Sequence, residues 1–269
     1  MLSSPKAVGA RNMEPVSNIE WRKWGKDDPL YGVSTCANRN REGSRPWTLP
    51  EFYEYGAVHW AEYYPQWLQY GLNRDSCLEI GCGAGRISRA LMQCFGAVYG
   101  VDISPDMLAL AKSNVTGPTF LLSDGRSLPV PNNSVPAVFS SQVFQHFDNR
   151  EIALDYFREV YRVLRADGTC MIHLPIAVLP LRRIMPMMGT VQNRLWRATE
   201  GWVRLKAKAK RWLISHRNRR PFYLMLQYEP DWLLANLSKI GFRDVEIRLF
   251  QVTGDPGEKF LDSHVLARK

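Results

Sequence analysis

Gly81, Gly83 and Gly85 stand at alternate positions directly after the run Leu78-Glu79-Ile80. Glycines so spaced let the main chain turn through positive φ and approach a ligand where a Cβ would clash. A helical pattern begins at once, so its free N–H groups add to the same site. The chemistry is that of a nucleotide-like ligand held by backbone. It is not that of a dinucleotide, whose fingerprint needs its third glycine one position later, where this chain has Arg86. Asp102, about 20 residues after Gly81, ends a second apolar run and stands where an acid accepts ribose hydroxyls in nucleotide-binding α/β folds. Asp124 ends a third. Either acid alone would be an ordinary strand stop or turn cap; two in register behind a glycine loop point to a ligand. His146, just past a fourth run, is the candidate general base, with packing or hydrogen bonding in the loop as its other role. An unperturbed imidazole titrates near about 6.5, so base catalysis predicts a rate that rises through that pH. Asp148 either orients His146 or caps the helix that follows.

These residues need strands that end beside one another. The apolar runs are Leu78–Ile80, Val98–Ile103, Thr119–Leu122, Val135–Gln142 and Thr169–Leu174. Ser104 followed by Pro105 reads as a helix start. Ile152 to Leu164 is amphipathic at helical spacing, and residues Arg165 to Gly168 close it. Alternating strands and helices imply a parallel sheet covered on both faces. Further on, Pro230–Ile240 reads as a helix with Gly241 as its C-terminal cap, and Val245–Phe250 and His264–Ala267 as final strands, partly antiparallel. Thr48 and Glu51 form a capping box for a helix from about Pro50 to Tyr63.

The segment Leu78-Glu79-Ile80-Gly81-Cys82-Gly83-Ala84-Gly85-Arg86 resembles the glycine-rich loop of class I S-adenosylmethionine (SAM) dependent methyltransferases, and the acids follow at that family's distances. The resemblance covers roughly Cys77 to Pro175 and resumes at Tyr228. It implies an α/β fold: a Rossmann-like doubly wound sheet of about seven strands, order 3-2-1-4-5-7-6. It implies SAM as cofactor, held by Glu79, Gly81, Cys82, Gly83, Gly85, Arg86, Asp102, Ile103, Met107, Asp124, Gly125, Arg126, Ser141 and Gln142. Asp124 would contact the adenine amino group, and His146 would be catalytic. Ser140-Ser141-Gln142-Val143 stands where enzymes that methylate base amino groups carry Asn/Asp-Pro-Pro-aromatic. No cysteine nucleophile lies between Cys94 and Cys170. The expected reaction is methyl transfer to a small-molecule or lipid- or glycan-linked acceptor, at oxygen. The alternatives are RNA methylation and a non-catalytic SAM-fold binding protein.

The net charge of +9 is unevenly placed: between Leu181 and Pro221 twelve Lys or Arg face the single acid Glu200, leaving the rest near neutral. Within that insert Trp202, Leu205, Ala209 and Trp212 share one helical face. It reads as a lid helix, as a stripe on an anionic membrane, or as a phosphate-binding surface, with nucleic acid the least favoured. The domain reading is an aromatic-rich helical cap over 1–70 and a SAM-binding domain over 71–269, with a basic helical lid insert at 176–225. Tyr53 and Tyr55 in the cap, and Trp202 in the lid, are the acceptor-side candidates. Five cysteines without a CxxC pattern favour a reducing compartment and no metal site. Met1 to Pro15 lacks the apolar core of a signal peptide. No apolar stretch is long enough to span a bilayer. The chain reads as cytoplasmic, with possible peripheral membrane contact through 181–221.

Overall fold

The computed structural model describes residues 14–177 and 225–269. Trp202 and nearly all of the expected lid insert therefore lie outside the described residues. The seven strands are β1 (Ser76–Ile80), β2 (Ala97–Asp102), β3 (Thr119–Leu122), β4 (Val135–Ser140), β5 (Leu164–His173), β6 (Arg243–Thr253) and β7 (Lys259–Arg268). They form one sheet in the order β3-β2-β1-β4-β5-β7-β6, as expected. β1 to β5 run parallel, and β7 lies antiparallel to both neighbours. β6 and β7 outrun the expected lengths because they pair with each other as far as Thr253 and Lys259. Phe260 and Leu261 there are exposed, so the hairpin's outer half carries no buried apolar run to read.

Alternation along the strands sorts the core into two layers. Leu78, Val138, Cys170 and Ile172 face helices α6 (Arg150–Val163) and α7 (Pro230–Ile240). Cys77, Phe139 and Met171 face the aromatic side chains of α3 (Leu49–Tyr70) and the short α4 (Ser88–Leu91). Helix α5 (Pro105–Asn114) starts at Ser104, whose hydroxyl accepts from Met107 N. Gly241 closes α7 at φ 117°, as the sequence suggested.

Helix α3 begins at the expected Thr48–Glu51 capping box but does not stop before Pro65; it runs on to Tyr70. An interior proline forfeits one hydrogen bond and costs about 3 kcal/mol. Burial offsets this. Trp67 is wholly buried and donates to Thr169 Oγ1 at 2.9 Å, and Tyr70 donates to Asp244 O at 2.6 Å. Before α3 come two helices the sequence did not announce, α1 (Val16–Asp27) and α2 (Pro29–Val33). Among the described residues no helix is long and apolar enough to cross a membrane.

Candidate functional site

The strand ends of β1, β2 and β4 and helix α1 line a cavity that opens to solvent, with about 950 Å³ of free space when the open part is counted. Gly81 and Gly83 at its floor take φ values of 70° and 52°, which side chains adopt only under strain. Asp102 ends β2 and fastens this loop: its Oδ2 accepts from Gly83 N and its Oδ1 from Ser104 N, both at 2.8 Å. Burial raises its carboxyl above the usual value. Each of its oxygens keeps a lone pair for a further donor. Glu79, 3% exposed, also lines the cavity and accepts from the Ser88 hydroxyl. Burial pushes its carboxyl up to about 8.

Arg86 is 4% exposed; it lines the cavity, and its guanidinium enters a buried polar cluster. Its Nη1 donates to His59 Nδ1 at 3.0 Å, which leaves His59 Nε2 to donate to Thr253 O at 2.9 Å. Burial first, then the Arg86 charge, pushes His59 down to about 3. Arg86 thus leans on a neutral ring, and its Nε has no hydrogen-bond partner among the described residues. An anionic ligand group at the cavity would meet that charge.

His146 sits in a one-turn helix, Phe144–His146, and also lines the cavity. Gln145 Nε2 lies 3.0 Å from its Nε2, and Trp21 packs edge-on at 4.9 Å between ring centroids. Burial pushes the imidazole down to about 4. That lies below the value near neutrality that the base-catalysis expectation used, and a ring so placed is uncharged at pH 7 and only weakly basic. Asp148 does not orient it. The Asp148 carboxylate accepts from Val16 N and Ser17 N at the start of α1, while Asn149 caps α6. Gln142, next along the wall, is held at φ 59°, and its N–H donates to His173 Nδ1 at 3.1 Å. His173 Nε2 in turn lies 2.7 Å from the buried Asp262.

The cavity brings together Glu79, Gly81, Cys82, Gly83, Arg86, Asp102, Ile103, Met107, Ser141, Gln142 and His146. Asp124 is not brought in. Its carboxylate accepts from Arg126 N and Ser127 N, both at 2.8 Å, and from the Ser127 hydroxyl, so it closes its own exposed turn. Arg126 is exposed on that turn, and Gly125 packs under Asn18. Gly85 serves helix packing instead, because a Cβ there would press on Val115 at 3.1 Å and Ala111 at 3.3 Å. Neither tyrosine reaches the cavity. Tyr53 is buried against the loop and donates to Ala84 O at 3.1 Å, and Tyr55 lies between Trp47 and His59. The sequence reading missed Ser17, Asn18, Trp21 and Val33, which line the cavity from the N-terminal helices, and Ser123 and Tyr156. Only the density of N-terminal aromatics signalled a cover. Among the described residues no cluster of His, Cys, Asp or Glu could hold a metal ion.

Residues 78–172 match the family model described as a methyltransferase domain. The chain is similar to the malonyl-[acyl-carrier protein] O-methyltransferase of Serratia marcescens, 33% identical over 94 residues. The match covers 35% of this chain and 36% of that protein, so the chain spans about a third of the length of the curated relatives it matches. Magnesium protoporphyrin IX methyltransferase from Synechocystis shares the fold at TM-score 0.53 and 15% identity, covering 95% of each chain. A SAM-dependent methyltransferase from Methanosarcina mazei does so at TM-score 0.54 and 18% identity, over 75% of this chain and 96% of its own.

Proposed function

We propose that this chain, whose residues 78–172 form a class I SAM-dependent methyltransferase domain, moves the methyl group of SAM to an oxygen of a small-molecule or carrier-linked acceptor. The observation that carries the reading is the Asp102 clasp on Gly83 and Ser104, set at the floor of the cavity at the strand ends. SAM supplies a methyl group already activated by its sulfonium. The protein has only to bind, aim and keep water out. The remaining lone pairs of Asp102 suit ribose hydroxyls, and the Arg86 charge suits the carboxylate of the methionine moiety.

The acceptor side is the wall made by Ser141, Gln142 and His146 after β4. His146, neutral and weakly basic, gives little help to a phenol or sugar hydroxyl that must lose its proton. An oxygen that is already ionised, such as a carboxylate, needs none. The O-methyltransferase named among the relatives points the same way.

Titration calorimetry with SAM and with NAD, followed by a screen of carboxylates, phenols and sugars with labelled SAM, tests this. Micromolar SAM binding and a methyl ester product are expected. Tighter binding of NAD overturns the cofactor, and labelling confined to amines overturns the oxygen acceptor.

A further inference from the structure

The sheet order sets the direction in which a nucleoside must lie. β2 stands between β1 and β3, so a ligand that starts on the glycine loop after β1 and hangs its ribose on Asp102 carries its base toward the end of β3. The acid expected there, Asp124, is spent on its own turn: its turn donors, Ser127 N foremost, hold its carboxyl below the usual value. What stands there instead comes from α1. Asn18 lies against Gly125, where a Cβ would overlap its Nδ2. Gly125, at φ 79°, is the residue type that permits this approach.

Asn18 and Ser17 are each 6% exposed, and both line the cavity. Among the described residues neither Asn18 Nδ2 nor Ser17 Oγ has a hydrogen-bond partner. Buried polar atoms without partners are expensive, and two on one turn of a helix facing a cavity mark a place where a ligand or ordered water completes the bonding. A carboxamide carries one acceptor and one donor side by side, the pattern that matches the amino group and adjacent ring nitrogen of adenine. The helix is fixed by Asp148 at its first turn and, in its middle, by Arg22 Nε, which donates to Ile103 O at 3.2 Å.

We propose that Asn18, with Ser17 beside it, reads the adenine base of the cofactor, so that the N-terminal helix takes the part Asp124 would otherwise play. This rests on the SAM reading above. The two fail differently in calorimetry with S-adenosylhomocysteine and with its 6-deamino analogue, which lacks the amino donor. Wild-type protein is expected to prefer S-adenosylhomocysteine about tenfold. Asn18→Ala should bind S-adenosylhomocysteine about tenfold more weakly and no longer distinguish the two ligands. Asp124→Ala, which removes every acceptor at that position, should keep the preference. Wild-type protein that binds both ligands equally overturns the Asn18 assignment and leaves the cofactor intact. So does an Asn18→Ala protein that still discriminates, or loss of discrimination in Asp124→Ala. Wild-type protein that binds neither overturns the SAM reading itself. Should Asn18→Ala not fold, the survival or loss of the wild-type preference in Asp124→Ala still decides.

Discussion

Asp148 and Val16 meet across 132 positions of sequence, the carboxylate oxygen 2.7 Å from the main-chain nitrogen. A second oxygen takes Ser17 N at 3.0 Å, so a residue from the loop after β4 caps the helix that roofs the cavity. A cap of this kind is worth about 1 kcal/mol, with a further contribution from the helix dipole. Asp148→Ala is expected to loosen α1 and weaken cofactor binding about fivefold while global melting shifts by only a few degrees. Hydrogen exchange over residues 16–27, beside calorimetry, checks it; unchanged exchange rules out the roof.

Asp102 and Asp124 should behave unequally. Asp102→Ala releases Gly83 N and Ser104 N as well as the ribose, and should cost on the order of 2–4 kcal/mol of SAM affinity. Gly83→Val should abolish binding: the position is at φ 52°, and a Cβ would come within 2.5 Å of Val33 Cγ2. Equal, small losses at Asp102 and Asp124 would mean that both acids serve only the fold.

The dependence of kcat on pH should be flat from pH 6 to 8. His146 stands near 4 because it is buried, so any limb it causes lies near pH 4, with activity lost as pH falls through that value. His146→Ala should lower kcat less than about tenfold. A limb between pH 6 and 7 that disappears in the mutant would restore the histidine as a general base.

Glu79 is pushed up to about 8 and is mostly protonated at pH 7 before the cofactor arrives. A cationic cofactor favours the carboxylate, so binding should release up to about one proton at pH 7. Calorimetry in buffers of different ionisation enthalpy reads this directly, and Glu79→Gln should abolish it. The same shift has a sign for stability. The folded cofactor-free protein holds a proton that the unfolded chain has lost above about pH 4.3, so stability contributed here falls as pH rises from there to about 8. Glu79→Gln flattens that slope.

His59 and His264 act in the opposite sense. Burial holds both near 3 in the folded state, whereas the unfolded chain protonates them near about 6.5. Stability should therefore be lost as pH falls from about 6.5 toward 3. His264 has both ring nitrogens without hydrogen-bond partners among the described residues and stacks on Phe250 at 5.0 Å. His264→Phe should hold or raise the melting temperature at pH 5 relative to wild type. A mutant that melts lower at pH 5 than at pH 7 by the wild-type margin would show that this ring does not drive the acid limb.

The parts of the site built from adjacent residues were legible in the chain. Gly81 and Gly83 with Asp102 announce their strand and turn, because apolar runs, turn residues and acids follow each other in register. Helix ends with local chemistry, at Thr48, Ser104 and Gly241, were equally plain. What depends on distant partners was not. Nothing near Asp148 in sequence says that it caps α1, and nothing near Asn18 says that it meets Gly125. Asp124 has the residue type and spacing for adenine, yet Ser127 three positions on offers it a nearer set of donors. The helix expected to end near Tyr63 runs on through Pro65 to Tyr70, held there by the burial of Trp67.

Helix α3 also bears on what counts as a separable piece of this molecule. It touches the glycine loop through Tyr53 and Ala84, β5 through Trp67 and Thr169, and β6 through Tyr70 and Asp244. The family's recognisable segment begins only at residue 78. Excised there, it would bare Cys77's neighbours on the sheet, with Phe139 and Met171 stripped of Trp60, Tyr63 and Trp67. The inherited motif and the autonomous folding unit are therefore different lengths of chain. Grafting or trimming this module means carrying residues 49–70 with it.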